Sequence, residues 1–136
     1  MSGSVAYLDS SAFVKLVVEE AESNALRHAL HRWRRQASAS QLRTETVRAL
    51  RRSGNDQLVG RARRLLSGVS LVRLDVPLLD RAGDLEPPAL RSLDAVHLAA
   101  AMALGTDLGV MFTYDDRLAE AAERAGLVVA SPGVVS

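Results

Sequence analysis

The chain has 136 residues, 48% hydrophobic and 24% charged, which suits a single domain over residues 1–136 with one core. It has no cysteine, which excludes disulfides and thiolate metal sites, and no apolar stretch long enough to span a bilayer. The formal net charge of +1 hides an asymmetry: residues 1–68 carry 12 Lys+Arg against 6 Asp+Glu, and residues 69–136 carry 5 against 10.

Met1-Ser2-Gly3-Ser4 has neither the basic flank nor the apolar region of a secretory signal, so the expected location is cytoplasmic. Val5 to Leu8 reads as a short buried strand. Asp9, Ser10 and Ser11 then offer N-caps for a helix through Val18. A second helix is expected over Glu22 to Arg34 and a weak strand over Ala37 to Ser40. Gln41 to Arg52 is helical and stops at Ser53-Gly54. Asp56 to Leu66 is helical again, and Ser70 to Leu74 is a strand. Pro77 opens a helix to about Ala82, and Pro87-Pro88 marks a loop. Ser92 to Leu104 is a helix ended by Gly105, Val110 to Thr113 a strand, Asp116 to Ala125 a helix, and Val128-Val129 a last strand. Residues 131–136 read as a frayed tail. Strands alternating with helices predict an α/β fold, with a central parallel sheet flanked by helices on both faces. Ligands of such sheets bind at the carboxyl ends of the strands.

Four acids fall where they can share that rim. Asp9 ends the first strand, Glu45 lies in the helix after the second, Asp94 sits in a first helical turn, and Asp115 follows the apolar run to Thr113. Taken singly, Asp9 and Asp115 read as N-caps, and Asp94 as a complement to the helix dipole. Glu45 is less ordinary, because Leu42, Glu45 and Ala49 share one helix side. Converging carboxylates repel one another unless a cation joins them, so the set points to divalent-metal chemistry. His97, one turn after Asp94, can bond a carboxylate or a metal, but reads by default as a partly buried helix residue. Trp33 reads as a core residue. No glycine-rich phosphate loop is present.

Tyr7-Leu8-Asp9-Ser10-Ser11-Ala12, Glu45, Leu93-Asp94-Ala95-Val96-His97-Leu98-Ala99 and Thr113-Tyr114-Asp115 together resemble the PIN-domain family, and within it the VapC-type toxins of VapBC toxin–antitoxin modules. The resemblance spans essentially the whole chain. It implies a PIN-like three-layer α/β/α sandwich and a ribonuclease dependent on Mg²⁺ or Mn²⁺. In that family Asp9, Glu45, Asp94 and Asp115 correspond to the acidic metal-binding quartet, and Thr113 to a hydroxyl residue that orders it. Asp116 departs from the pattern by adding a neighbouring acid, so it is a further candidate ligand. The resemblance also implies a homodimer and a VapB-type antitoxin that lies across the site.

The chemistry expected is in-line attack of water on an RNA phosphodiester, leaving 5′-phosphate and 3′-hydroxyl ends. Arg43, Arg48, Arg91 and Arg117 flank the acidic motifs and are candidates for RNA phosphates or for the antitoxin. With aromatics at 4%, base stacking is a poor source of selectivity, and recognition of RNA by shape fits better. The alternatives are a nuclease acting on structured DNA, a PIN fold that only binds, and a phospho-accepting receiver domain. The receiver reading needs an acidic pair at the first strand and a late lysine; Asp9 has no acidic neighbour and Lys15 is the only lysine.

Overall fold

The strand Val5–Leu8 (β1) is buried at every position because it runs through the middle of the sheet. The computed structural model describes residues 3–135; Met1, Ser2 and Ser136 lie outside the described residues. The other strands are Arg35–Ala39 (β2), Ser70–Val72 (β3), Leu108–Phe112 (β4) and Val129–Ala130 (β5). All pairings are parallel, in the order β3-β2-β1-β4-β5. Seven α-helices connect them: Ser10–Val17 (α1), Ser23–Leu30 (α2), Leu42–Arg52 (α3), Val59–Leu66 (α4), Val76–Gly83 (α5), Ser92–Ala103 (α6) and Asp116–Arg124 (α7). The result is the three-layer α/β/α sandwich expected of the sequence.

The period of two along the central strands divides the core. Tyr7 and Met111 pack with Leu78, Leu98 and Leu118 from α5, α6 and α7. Ala6, Leu8, Val110 and Phe112 pack with Ala12, Leu26 and Leu30 from α1 and α2. A third cluster joins Phe13 and Val17 of α1 to Leu42, Leu50 and Leu66 of α3 and α4. Four alanines of α6, at 95, 99, 100 and 101, are buried. Their small side chains let the helix that carries Asp94 lie close on the sheet. Leu98→Ala in this layer is expected to cost about 2–5 kcal/mol.

Several boundaries differ from the expectation. The second helix stops at Leu30, not Arg34, because Trp33 turns inward against Gly109: a Cβ there would run into the Trp33 ring and the Gly3 carbonyl. That turn releases the chain early, so β2 begins at Arg35 and is a firm five-residue strand. The helix expected from Asp56 begins as a single 3₁₀ turn over Asp56–Leu58. Ser131 and Pro132, placed in a frayed tail by sequence, are tied down: Ser131 Oγ donates to the Thr113 carbonyl at 2.6 Å, and the Tyr114 hydroxyl to the Pro132 carbonyl at 2.7 Å.

Candidate active site

Leu8 pairs with Phe112 in the β1–β4 register, so the residues just beyond the two strands are neighbours although 104 positions apart. Asp9 and Thr113 are those residues, and both are buried. The Thr113 hydroxyl donates to Asp9 Oδ2 at 2.6 Å. Ser11 Oγ lies 2.7 Å from Asp9 Oδ1 and 2.9 Å from Oδ2, and the Ala12 N–H donates to Oδ1 at 2.9 Å. The last bond makes Asp9 the N-cap of α1, as the capping reading has it. Burial raises the Asp9 pKa; the Thr113 and Ser11 hydroxyls and the Ala12 N–H oppose the rise.

Thr113 Oγ1 also accepts from the Asp115 N–H at 3.1 Å, which links Asp9 to the loop before α7. Asp115 Oδ1 caps α7 by accepting from the Arg117 and Leu118 N–H groups. Asp94 lies half-buried in the first turn of α6. Its pKa is raised by burial first, then by the negative charges of Asp115 and Asp9. Asp94 therefore sits in the field of the other two. Asp116 is exposed and does not share in it.

Glu45 joins the rim from α3. Gln41 Nε2 donates to the Leu93 carbonyl at 3.0 Å and ties the start of α3 to the start of α6. Glu45 Oε1 lies 2.7 Å from His97 Nε2, and His97 Nδ1 lies 2.7 Å from the Tyr7 hydroxyl. His97 is 1% exposed, so the partly buried helix residue expected at this position is a fully buried one bonded to a carboxylate.

Beside the acids opens a cleft of about 530 Å³ whose lining includes Ser11, Glu45, Arg48, Arg52, Leu93 and Tyr114. Arg48 is thus brought to the site. Arg91 is exposed at the head of α6, and its charge favours ionised Asp94. Arg117 lines a separate groove with Pro87 and Leu90. Arg43 is exposed and lines neither. Sequence reasoning passed over Ser11, Arg52 and Lys15. Lys15 lines the cleft, pairs with Glu22 at 2.8 Å, and lies 4.8 Å from the centre of the Tyr114 ring. Burial and the charges of Glu22 and Asp9 push the Tyr114 phenol up to about 12.

The donors at this rim are hard oxygens, the type Mg²⁺ and Mn²⁺ take. Among the described residues no group of three His, Asp or Glu side chains stands ready to hold a metal ion by itself. Crowded carboxylates around Asp94 supply the electrostatic reason for a cation.

The PIN-domain family model matches residues 6–124. The chain belongs to the PIN-domain family. Within it the chain is VapC-like throughout: it is 48% identical over 126 residues to Ribonuclease VapC46 of Mycobacterium tuberculosis, covering 93% of this chain and 96% of that protein. It is 41% identical over 133 residues to Ribonuclease VapC47 of the same species, covering 95% and 98%. Among solved structures, M. tuberculosis VapC20, described as a sarcin–ricin loop cleaving toxin, superposes with a TM-score of 0.73 at 16% identity over 93% of this chain and 99% of that one. VapBC2 of Rickettsia felis, bound to a DNA fragment of its promoter, gives 0.69 at 12% identity over 94% and 98%. At these identities the structural likeness speaks for the fold.

Proposed function

We propose that this VapC-type PIN domain is the toxin of a toxin–antitoxin pair, an endoribonuclease that depends on Mg²⁺ or Mn²⁺ and works through Asp9, Glu45, Asp94 and Asp115. The observation that carries the reading is the convergence of Asp9 and Asp115 on Asp94 at the carboxyl edge of β1 and β4. Relatives named ribonucleases, aligned over almost the whole chain, support it.

Asp9, Asp94 and Asp115 would hold the cation, with Glu45 beside them and exposed Asp116 as an outlying candidate. A divalent cation there supplies charge stabilisation at the phosphoryl group and a water of lowered pKa. The Thr113 hydroxyl fixes Asp9 and, through the Asp115 N–H, the loop that carries the fourth acid. Arg48, in the cleft next to Glu45, is best placed of the flanking arginines to hold a substrate phosphate; Arg43, Arg91 and Arg117 are left for more distant phosphates or for a partner. Carboxylates that orient water and do not attack leave a 5′-phosphate and a 3′-hydroxyl.

A VapB-type antitoxin fits the same cleft, since a guanidinium reaching the acids would take the cation's electrostatic place. A homodimer belongs to the same reading. So does a cytoplasmic location; no helix among the described residues is long and apolar enough to cross a membrane, and the lack of cysteine suits a reducing compartment.

The test is incubation of purified protein, and of an Asp9→Ala, Asp94→Ala double variant, with total cellular RNA in Mg²⁺, Mn²⁺ or EDTA, with mapping of the new ends. Ribosomal RNA is the first species to map, given how VapC20 is described. Metal-dependent cleavage by the parent alone, with 5′-phosphate ends, is expected. Cleavage that persists in excess EDTA, or that the double variant shares, would overturn the reading.

A further inference from the structure

The acidic rim does not account for a buried polar chain behind it. Tyr7 is wholly buried in β1, two residues before Asp9, and His97 is 1% exposed in α6, three residues after Asp94. Their side chains meet at 2.7 Å, with the rings edge to face at 80° and 5.8 Å between centres. The other nitrogen of His97 reaches Glu45 Oε1 at 2.7 Å. One hydrogen-bonded line therefore joins the strand of Asp9, the helix of Asp94 and the helix of Glu45.

The roles along this line follow from what each atom can do. An ionised glutamate only accepts, so Nε2 of His97 carries the proton. The neutral ring then presents a lone pair at Nδ1, and the Tyr7 hydroxyl donates into it. The opposite tautomer would set a lone pair on Nε2 against a carboxylate oxygen. Glu45 and Tyr7 are thus both satisfied by one tautomer, in which the ring holds Glu45 from behind.

We infer that His97 is a positioning residue for Glu45, with Tyr7 as the donor that holds the ring from its other side, and that the pair holds one glutamate oxygen so that the other stays committed to the cation site. Glu45 lines the cleft and its side chain is 16% exposed, so water could solvate it without help from the protein. Among the described residues Oε2 accepts no bond, whereas Oε1 is tied to a buried imidazole. What the bond adds is a single rotamer for a long, flexible side chain, the kind of constraint that outer residues impose on metal-site ligands. This inference rests on the nuclease reading above.

The experiment is a Mn²⁺ titration of the full chain, followed by the spin-resonance signal of free Mn²⁺, for the parent, Glu45→Gln, His97→Leu, His97→Gln and Tyr7→Phe, with circular dichroism as the check on folding. Cleavage of total RNA by the same proteins is recorded alongside. His97→Leu is expected to weaken Mn²⁺ binding about 10- to 100-fold. His97→Gln, which keeps an N–H donor, should recover part of the loss, and Tyr7→Phe should fall between parent and His97→Leu. A folded His97→Leu that binds Mn²⁺ like the parent, while Glu45→Gln does not, overturns the inference and leaves the nuclease reading standing. Should His97→Leu fail to fold, Tyr7→Phe decides, since it removes one oxygen: weaker binding supports the inference and parent-like binding overturns it. A parent that neither binds Mn²⁺ nor cleaves RNA ends the nuclease reading, and the inference falls with it.

Discussion

Asp9 and Asp94 lie on one rim but live in opposite surroundings. Asp9 is 2% exposed and ringed by the Ser11 and Thr113 hydroxyls and the Ala12 N–H. Asp94 is half-buried, accepts no side-chain bond among the described residues, and meets mainly like charge from Asp115 and Asp9. The fold supplies Asp9 with donors, although burial still raises its pKa, and it supplies Asp94 with none. A socket rich in donors holds geometry without a cation, whereas a carboxylate set among like charges is comfortable only when positive charge arrives.

The sharpest way to break this comparison is to neutralise its donor-free half. On the proposed function Asp94→Asn removes a charge that would bind the cation, and is expected to lower cleavage of RNA in Mg²⁺ roughly 10³-fold, the upper scale for deleting one group that acts on developing charge. Single-turnover cleavage measures it, and a loss of only a few-fold would mean that Asp94 is a dipole complement and no more. Thr113→Val attacks the donor-rich half. It strips one donor from Asp9 and one acceptor from the Asp115 N–H, with an expected loss of about 10- to 100-fold in activity and about 1 kcal/mol in chemical denaturation.

Acidity sharpens the contrast further. Asp9 and Asp94 both have raised pKa values, for which burial is the first cause. The folded chain therefore binds these protons more tightly than the unfolded one, where an aspartate titrates near about 3.9. Their contribution to stability is full below that value and is lost as pH rises through their folded values. Melting of the metal-free protein followed from acid to neutral pH should show this fall, and Asp94→Asn should shrink it. Mg²⁺ should restore stability, by about 2.7 kcal/mol at 100 times its dissociation constant, and more at neutral than at acid pH because the ligands must be deprotonated. The smallest effect belongs to Asp116→Asn. That side chain is exposed and outside the field of Asp94, so stability should change by under about 0.5 kcal/mol, and a titration of activity against Mg²⁺ should superpose on that of the parent.

How much of this could be read from residues alone depended on how local each signal was. Val5 to Leu8 followed by Asp9-Ser10-Ser11 marks a strand end and a helix start in consecutive positions, and both fall where expected. β2 was harder, because Arg35-Gln36-Ala37-Ser38-Ala39 is polar and small; it is a strand because β1 and β3 both pair with it. His97 shows the limit for the site. Its spacing from Asp94 offered a hint, but its partners are a tyrosine 90 positions away and a glutamate 52 positions away, and only the tertiary fold brings α3, α6 and β1 to one place. Ser11 was legible as a capping residue, yet its hydroxyl also accepts the Tyr114 N–H, a contact across 103 positions that no local pattern reports.

The parallel pairing of β1 with β4 carries a consequence for the order of events in the cell. Asp9 is made 104 residues before Thr113, whose hydroxyl grips it. Until β4 is laid beside β1, the nascent polypeptide carries Asp9 with only its local partners, Ser11 and the Ala12 N–H. Long-range pairing of this kind is slow to form. The rim that joins β1 to β4 is thus incomplete until both strands are made and paired, however early its first acid is in place.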